Sequence, residues 1–200
     1  MPRNSNLASN QSKQKDDRPA PLPGVVRMSR RQIAEWQIDN AILLWFREKE
    51  DVVSPHTLAV AAQGVLTALC RDMHQPLSKT VTWINKQPKS VREKLRNPQN
   101  FFKHGYHKQP FRDVVSFTPE MTQIFLIDNV AVYQDLFGVL TVPMIVFALR
   151  FSIEHPKGLP LIAFQFADGK VLQATEIKKL AAISREDFFE AALPLVAKRK

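Results

Sequence analysis

The chain has 200 residues, 44% of them hydrophobic, with a net charge of +9 and one cysteine. That size and apolar content suffice for one core without disulfide or metal, and the lone Cys70 excludes an internal disulfide, as suits a reducing compartment. Its six glycines are scattered singly, which excludes a phosphate-cradling loop and a dinucleotide fingerprint; Gly-x-Ser-x-Gly, Cys-x-x-Cys and His-Glu-x-x-His do not occur.

The charge is unevenly placed. Residues 1–31 hold seven basic and two acidic groups, and residues 86–112 hold eight basic groups against Glu93 alone. Residues 32–85 and 113–197 are each net acidic, and Lys198, Arg199 and Lys200 close the chain. Met1–Arg27 has no apolar core of the signal-peptide kind. The longest apolar run, Val139–Leu149, is about half of the ~20 residues a bilayer crossing needs, and Thr141 and Pro143 interrupt it. The expectation is a cytoplasmic protein that makes no use of a membrane.

Residues 1–28, rich in Asn, Ser, Gln, Lys and Pro, bury too little surface to offset ordering entropy and read as a disordered basic tail. Residues 29–200 read as one all-α domain, a bundle of about six helices. The first spans about 30–50, opened by a Ser29/Gln32 capping box, with Ile33, Trp36, Ile38, Ala41, Leu44 and Trp45 as its buried face. The second starts with Ser54 as cap and Pro55 at the first helical position, and runs antiparallel to the first. A third opens with a Ser90/Glu93 box and meets Pro98, where the spacing allows a restart capped by Asn97, and stops at Gly105. Thr118-Pro119-Glu120 opens a strongly apolar helix that ends near Gly138. Thr141 caps the next, over 142–154, and Pro156 stops it. Apolar nearly all round, this pair is expected at the centre. Ser184 and Asp187 open the last helix. Between these, Leu161–Val171 alternates around Asp168-Gly169, a hairpin signal near 161–174 set against a helix stopped by Gly169.

Arg92–Arg112, REKLRNPQNFFKHGYHKQPFR, stands apart. On a continuous helix Arg96, Asn100 and His104 share one face. Phe101 and Phe102 then point inward, and the negative end of the helix dipole favours a protonated His104. This gives an anion-binding set of Arg92, Arg96, Asn97, Asn100, Lys103, His104 and His107. The same residues also read as a helix cap, a surface amide, a dipole partner and ordinary core phenylalanines. His104 and His107 straddle Gly105 with no third ligand close in sequence, so no metal is expected, and no motif calls for a cofactor. His56, His74 and His155 read as surface or loop residues near helix ends.

The phrases SPHTLAVAA (54–62) and NFFKH (100–104), with their spacing, resemble an uncharacterised family of helical bacterial proteins over about residues 35–155. That resemblance implies a bacterial source and no mechanism. Its members tend to follow NFFKH with an acidic run resembling Ala-Asp-Arg-Asp-Pro, where this chain has Gly105 to Pro110, so any role of those carboxylates is lost here. More distantly, Arg96-Asn97 followed by His104 is similar to HEPN domains, helical bundles of bacterial toxins and RNA-processing systems that carry an Arg, four to six residues, then a His. That similarity implies metal-independent RNA cleavage at a homodimer interface, with Arg96 stabilising the phosphorane and His104 exchanging the 2′-hydroxyl or leaving-group proton. Seven residues separate the pair here, and Pro98 lies between them.

The functional expectation is a non-catalytic binding module that takes nucleic acid or another anionic partner on residues 86–112. An Arg96/His104 ribonuclease and a structural or regulatory protein without a ligand site are the alternatives.

Overall fold

Ser29 opens the first helix as expected. The Ser29 N–H donates to Gln32 Oε1 (2.8 Å) and the Gln32 N–H donates to Ser29 Oγ (3.2 Å), which satisfies two donors that the helix leaves free. The computed structural model describes residues 26–47, 50–104, 114–156 and 174–197. Among these residues there are eight helices and no strand: α1 (Arg30–Arg47), α2 (Val53–Asp72), α3 (Lys79–Lys86), α4 (Lys89–His104), α5 (Glu120–Phe137), α6 (Val142–Glu154), α7 (Ala174–Ala182) and α8 (Arg185–Ala197). The all-α class holds, with more helices than the six expected. The additions are α3 and α7, too short for the spacing of apolar residues to reveal them. The basic tail before residue 26, the Gly105 stop and the hairpin region between 157 and 173 lie outside the described residues.

Central to the bundle is α1, which packs most extensively on α2 and also meets α5, α6 and α8. Helices α1 and α2 are antiparallel: Arg30 at the start of α1 pairs with Asp72 at the end of α2 (2.5 Å). The expected burial of Trp36 is wrong: it is 55% exposed, and the buried face is Ala34, Ile38, Ala41, Ile42, Trp45 and Phe46. Four packing partners, not one, select that face. Phe46 meets Phe188 and Phe189 of α8, and both Trp45 and Phe46 meet Phe147 of α6, in edge-on, tilted and stacked contacts that join three helices.

Helix α2 is capped by Asp51 and not by Ser54. Asp51 Oδ1 accepts from the N–H groups of Val53 (3.1 Å) and Ser54 (2.9 Å), so the helix begins before Pro55 is reached. Hydrogen bonds from Ser54 hold the Asp51 carboxyl below its usual range. By length and composition α2, unlike the 139–149 run, is long and apolar enough to cross a membrane. In this fold one side of it lies on α1, α4 and α5.

The central pair forms as expected, and α1 shares its position. Asn129 of α5 donates to the Ala59 carbonyl of α2 (2.7 Å). Gly138 ends α5 in the left-handed region at φ 73°, where its N–H donates to the Gln134 carbonyl (2.8 Å). Thr141 caps α6 by accepting from Met144 N–H (3.4 Å) and donates to Asp39 Oδ1 of α1 (2.5 Å). Burial pushes the Asp39 carboxyl up to about 6. Ser184 and Asp187 open α8 with the expected box.

No motif or spacing in the chain singles out Arg150 of α6. It is 6% exposed, lies over the Phe188 ring and pairs with Glu154 (2.7 Å). It also donates to the carbonyls of Leu180 (2.9 Å) at the end of α7 and Ile183 (3.2 Å) just beyond it. One guanidinium thus satisfies two carbonyls at the α7–α8 junction and orients both helices on α6. Arg150→Ala leaves those carbonyls and Glu154 without their donor. Urea unfolding of this variant is expected to show a loss of about 3 kcal/mol.

Candidate functional site

The basic segment begins on α3. Ser78 Oγ accepts from Val81 N–H (3.0 Å) and opens the helix, Ile84 reaches the core, and the Thr80 N–H donates to Asp128 Oδ1 of α5 (3.3 Å). With α3 fixed on that side, Lys79, Trp83 and Lys86, at i, i+4 and i+7, form an exposed stripe on the other. Trp83 is 52% exposed.

The chain then turns through extended Gln87 into α4. The N–H groups of Val91 and Arg92 donate to the Pro88 carbonyl, so the helix opens at Lys89 and Ser90 lies inside its first turn, not at its cap. Nor does the helix restart at Asn97. It runs unbroken through Pro98, whose ring is buried. Proline inside a helix costs about 3 kcal/mol, and here burial of the ring and packing of Leu95 against the core offset it.

The inward side of α4 carries Leu95, Pro98 and Phe102, at spacings of three and four. Phe102 meets the rings of His56 (5.9 Å) and Phe117 (5.1 Å), while His56 meets Phe117 (5.1 Å) and Phe125 (5.6 Å). His56 is therefore no surface residue. It is 1% exposed, enclosed by the rings of Phe102, Phe117 and Phe125. Its Nδ1 is 3.1 Å from Thr122 Oγ1, and its Nε2 is buried with no hydrogen-bond partner. Burial among these rings lowers its pKa to about 4, so the imidazole is neutral at pH 7.

With that side anchored, the outward side of α4 presents Lys89, Arg96 and Asn100 to solvent, with Arg92 half-buried beside them. Arg96 and Asn100 lie about 40° apart around the axis, as do Arg92 and Arg96. Arg96 donates from Nη2 to Asn85 Oδ1 (3.0 Å), which joins α4 to α3 along their exposed sides. Asn97 is a half-buried flank residue, not a cap. Positions 103 and 104 belong to the last turn of α4, and their side chains lie outside the described residues, as does all of His107. The structure thus places Arg92, Arg96 and Asn100 on one exposed side of α4 with Lys89, leaves Lys86 of the expected basic segment exposed on α3, and adds Lys79 and Trp83 beside it. Trp83 and Lys79 were missed as site residues because α3 was missed; Ser78 ahead of a Lys-x-x-x-Trp-x-x-Lys spacing was the available signal.

The chain matches no protein-family model, no curated protein and no solved structure, so the resemblances carried by NFFKH and by Arg96 with His104 find no support there.

The buried histidine makes the anchoring of α4 pH-dependent. Its folded pKa lies below the ordinary 6.5, so the stability it contributes is complete above 6.5 and is lost as pH falls toward about 4. Between those limits the wild type is expected to lose about 1.4 kcal/mol per pH unit more than His56→Phe, measured by urea unfolding at successive pH values.

Proposed function

We propose that the protein is a non-catalytic binding module for single-stranded nucleic acid, held on the exposed face of α3 and α4. The observation that carries this reading is the unbroken course of α4 through Pro98, which sets Arg96 and Asn100 side by side on its exposed side and joins Arg96 to Asn85 of α3, the helix that also carries the exposed Trp83. Lysine and arginine displace counterions from a phosphate backbone, and an exposed indole offers a base a surface on which to stack. Such a combination tolerates sequence and has no need of metal or cofactor. The cytoplasmic, bacterial setting expected from the sequence fits a partner of this class.

Fluorescence anisotropy with a labelled single-stranded oligonucleotide tests the proposal. With Lys79, Lys86, Lys89 and Arg96 on phosphates, log K is expected to fall against log salt with a slope of about −3. Arg96→Ala lowers that slope by about 0.7, and Trp83→Ala weakens binding by about 1–3 kcal/mol at every salt concentration. Trp36→Ala, an equally exposed tryptophan on α1, leaves binding unchanged. No binding at low salt, or binding indifferent to salt, rules the module out.

The ribonuclease reading makes a separate demand. It requires cleavage of mixed RNA in EDTA that His104→Ala abolishes. The binding reading expects intact RNA from both proteins, by gel.

A further inference from the structure

On the far side of the α3 entry the charge reverses. A groove of about 1000 Å³ lies between the 75–80 segment, α5 and the end of α6. Its size is at the upper end for small-ligand sites, which run to about 1,000 Å³. Apolar side chains make most of its wall, among them Leu77, Ile124, Ile127, Ala131, Leu136 and Phe151. Three carboxylates, Glu120, Asp128 and Asp135, also line it, against Lys79 as the one Lys or Arg among its described residues. The His155 ring, near the α6 end, lies 3.1 Å from Gln123 Oε1.

Asp128 gives the groove its chemistry. Its Oδ1 accepts from the Thr80 N–H, and its Oδ2 is buried with no hydrogen-bond partner. A buried carboxylate oxygen without a donor carries its desolvation cost uncompensated. Cys70, on the same lining, senses these charges: burial pushes its thiol pKa up, and Asp135 and Asp128 push it further. An anionic headgroup would meet the field of Glu120, Asp128 and Asp135 as repulsion, while an ammonium would be drawn to it.

We infer that this groove is a second binding site, for an elongated apolar small molecule that carries one ammonium group. The ammonium sits on Asp128, and the apolar body lies along Ile124, Ile127 and Ala131 toward Leu136. The site borders the basic face on α3 and α4 at Lys79, and that face selects the opposite charge.

Calorimetric titration of the full chain with decylamine, decanol and decanoate tests this. Decylamine is expected to bind at least about tenfold more tightly than decanoate. Asp128→Asn keeps the Oδ1 acceptor for Thr80, so the fold is retained. In this variant decylamine is expected to bind about tenfold more weakly or worse, with decanol unaffected. Ala131→Trp, at an exposed position on the groove wall, fills the space and removes binding of all three, while circular dichroism reports an unchanged helix content. Failure of decylamine to bind the wild type overturns the proposal. So do decanoate binding as tight as decylamine, an Asp128→Asn affinity equal to wild type, and decylamine binding that survives Ala131→Trp.

Discussion

Helix α4 is held to the bundle through a cluster of rings around one neutral histidine, and the exposure of everything basic on that helix follows from it. Phe102 from α4, Phe117 from the segment before α5, and Phe125 from α5 surround His56 of α2. An imidazolium there would be a buried cation with no carboxylate beside it among the described residues, so the ring stays uncharged and packs as a hydrophobe with one polar contact to Thr122. Because the anchoring side is narrow, the opposite side of α4 has nowhere to go but solvent. A polar, basic helix with few apolar residues is stable in this position only through that seam.

Pro98 belongs to the same arrangement. A helix broken at Asn97 would turn residues 98–104 to a new azimuth and part Asn100 from Arg96. The ring is buried on the side of the seam, and the carbonyl it deprives of a donor, that of Lys94, belongs to an exposed residue within reach of water. The proline is thereby tolerated without interrupting the outward face.

The charge blocks in the sequence become separate surfaces in the fold. Much of the +7 between residues 86 and 112 lies on α4, while Glu120, Asp128 and Asp135 of the acidic second half gather on α5 around an apolar groove. Helix α3 lies between them, its Thr80 N–H fixed to Asp128 and its Lys79–Trp83–Lys86 stripe turned outward. The basic surface and the acidic groove therefore meet along α3, with Lys79 on the border.

What the chain determined locally was the helical class and those ends that depend on nearby chemistry. The Ser29/Gln32 and Ser184/Asp187 boxes, Thr141 as cap and Gly138 as stop all act within four residues, and each was legible. The basic concentration around position 96 was legible too, since charge counting needs no coordinates. Tertiary packing decided the rest. Trp36 and Ile38 are equally apolar by pattern, and only the placement of α2, α5, α6 and α8 around α1 chose which would be buried. His56 and Arg150 look like surface residues in a string of letters, and their burial follows from ring and carbonyl partners 30 to 70 positions away. Spacing along the chain can encode which side chains share a helix face, but the contacts that cover one face and leave another to solvent come from segments distant in sequence, and they exist only once the helices meet.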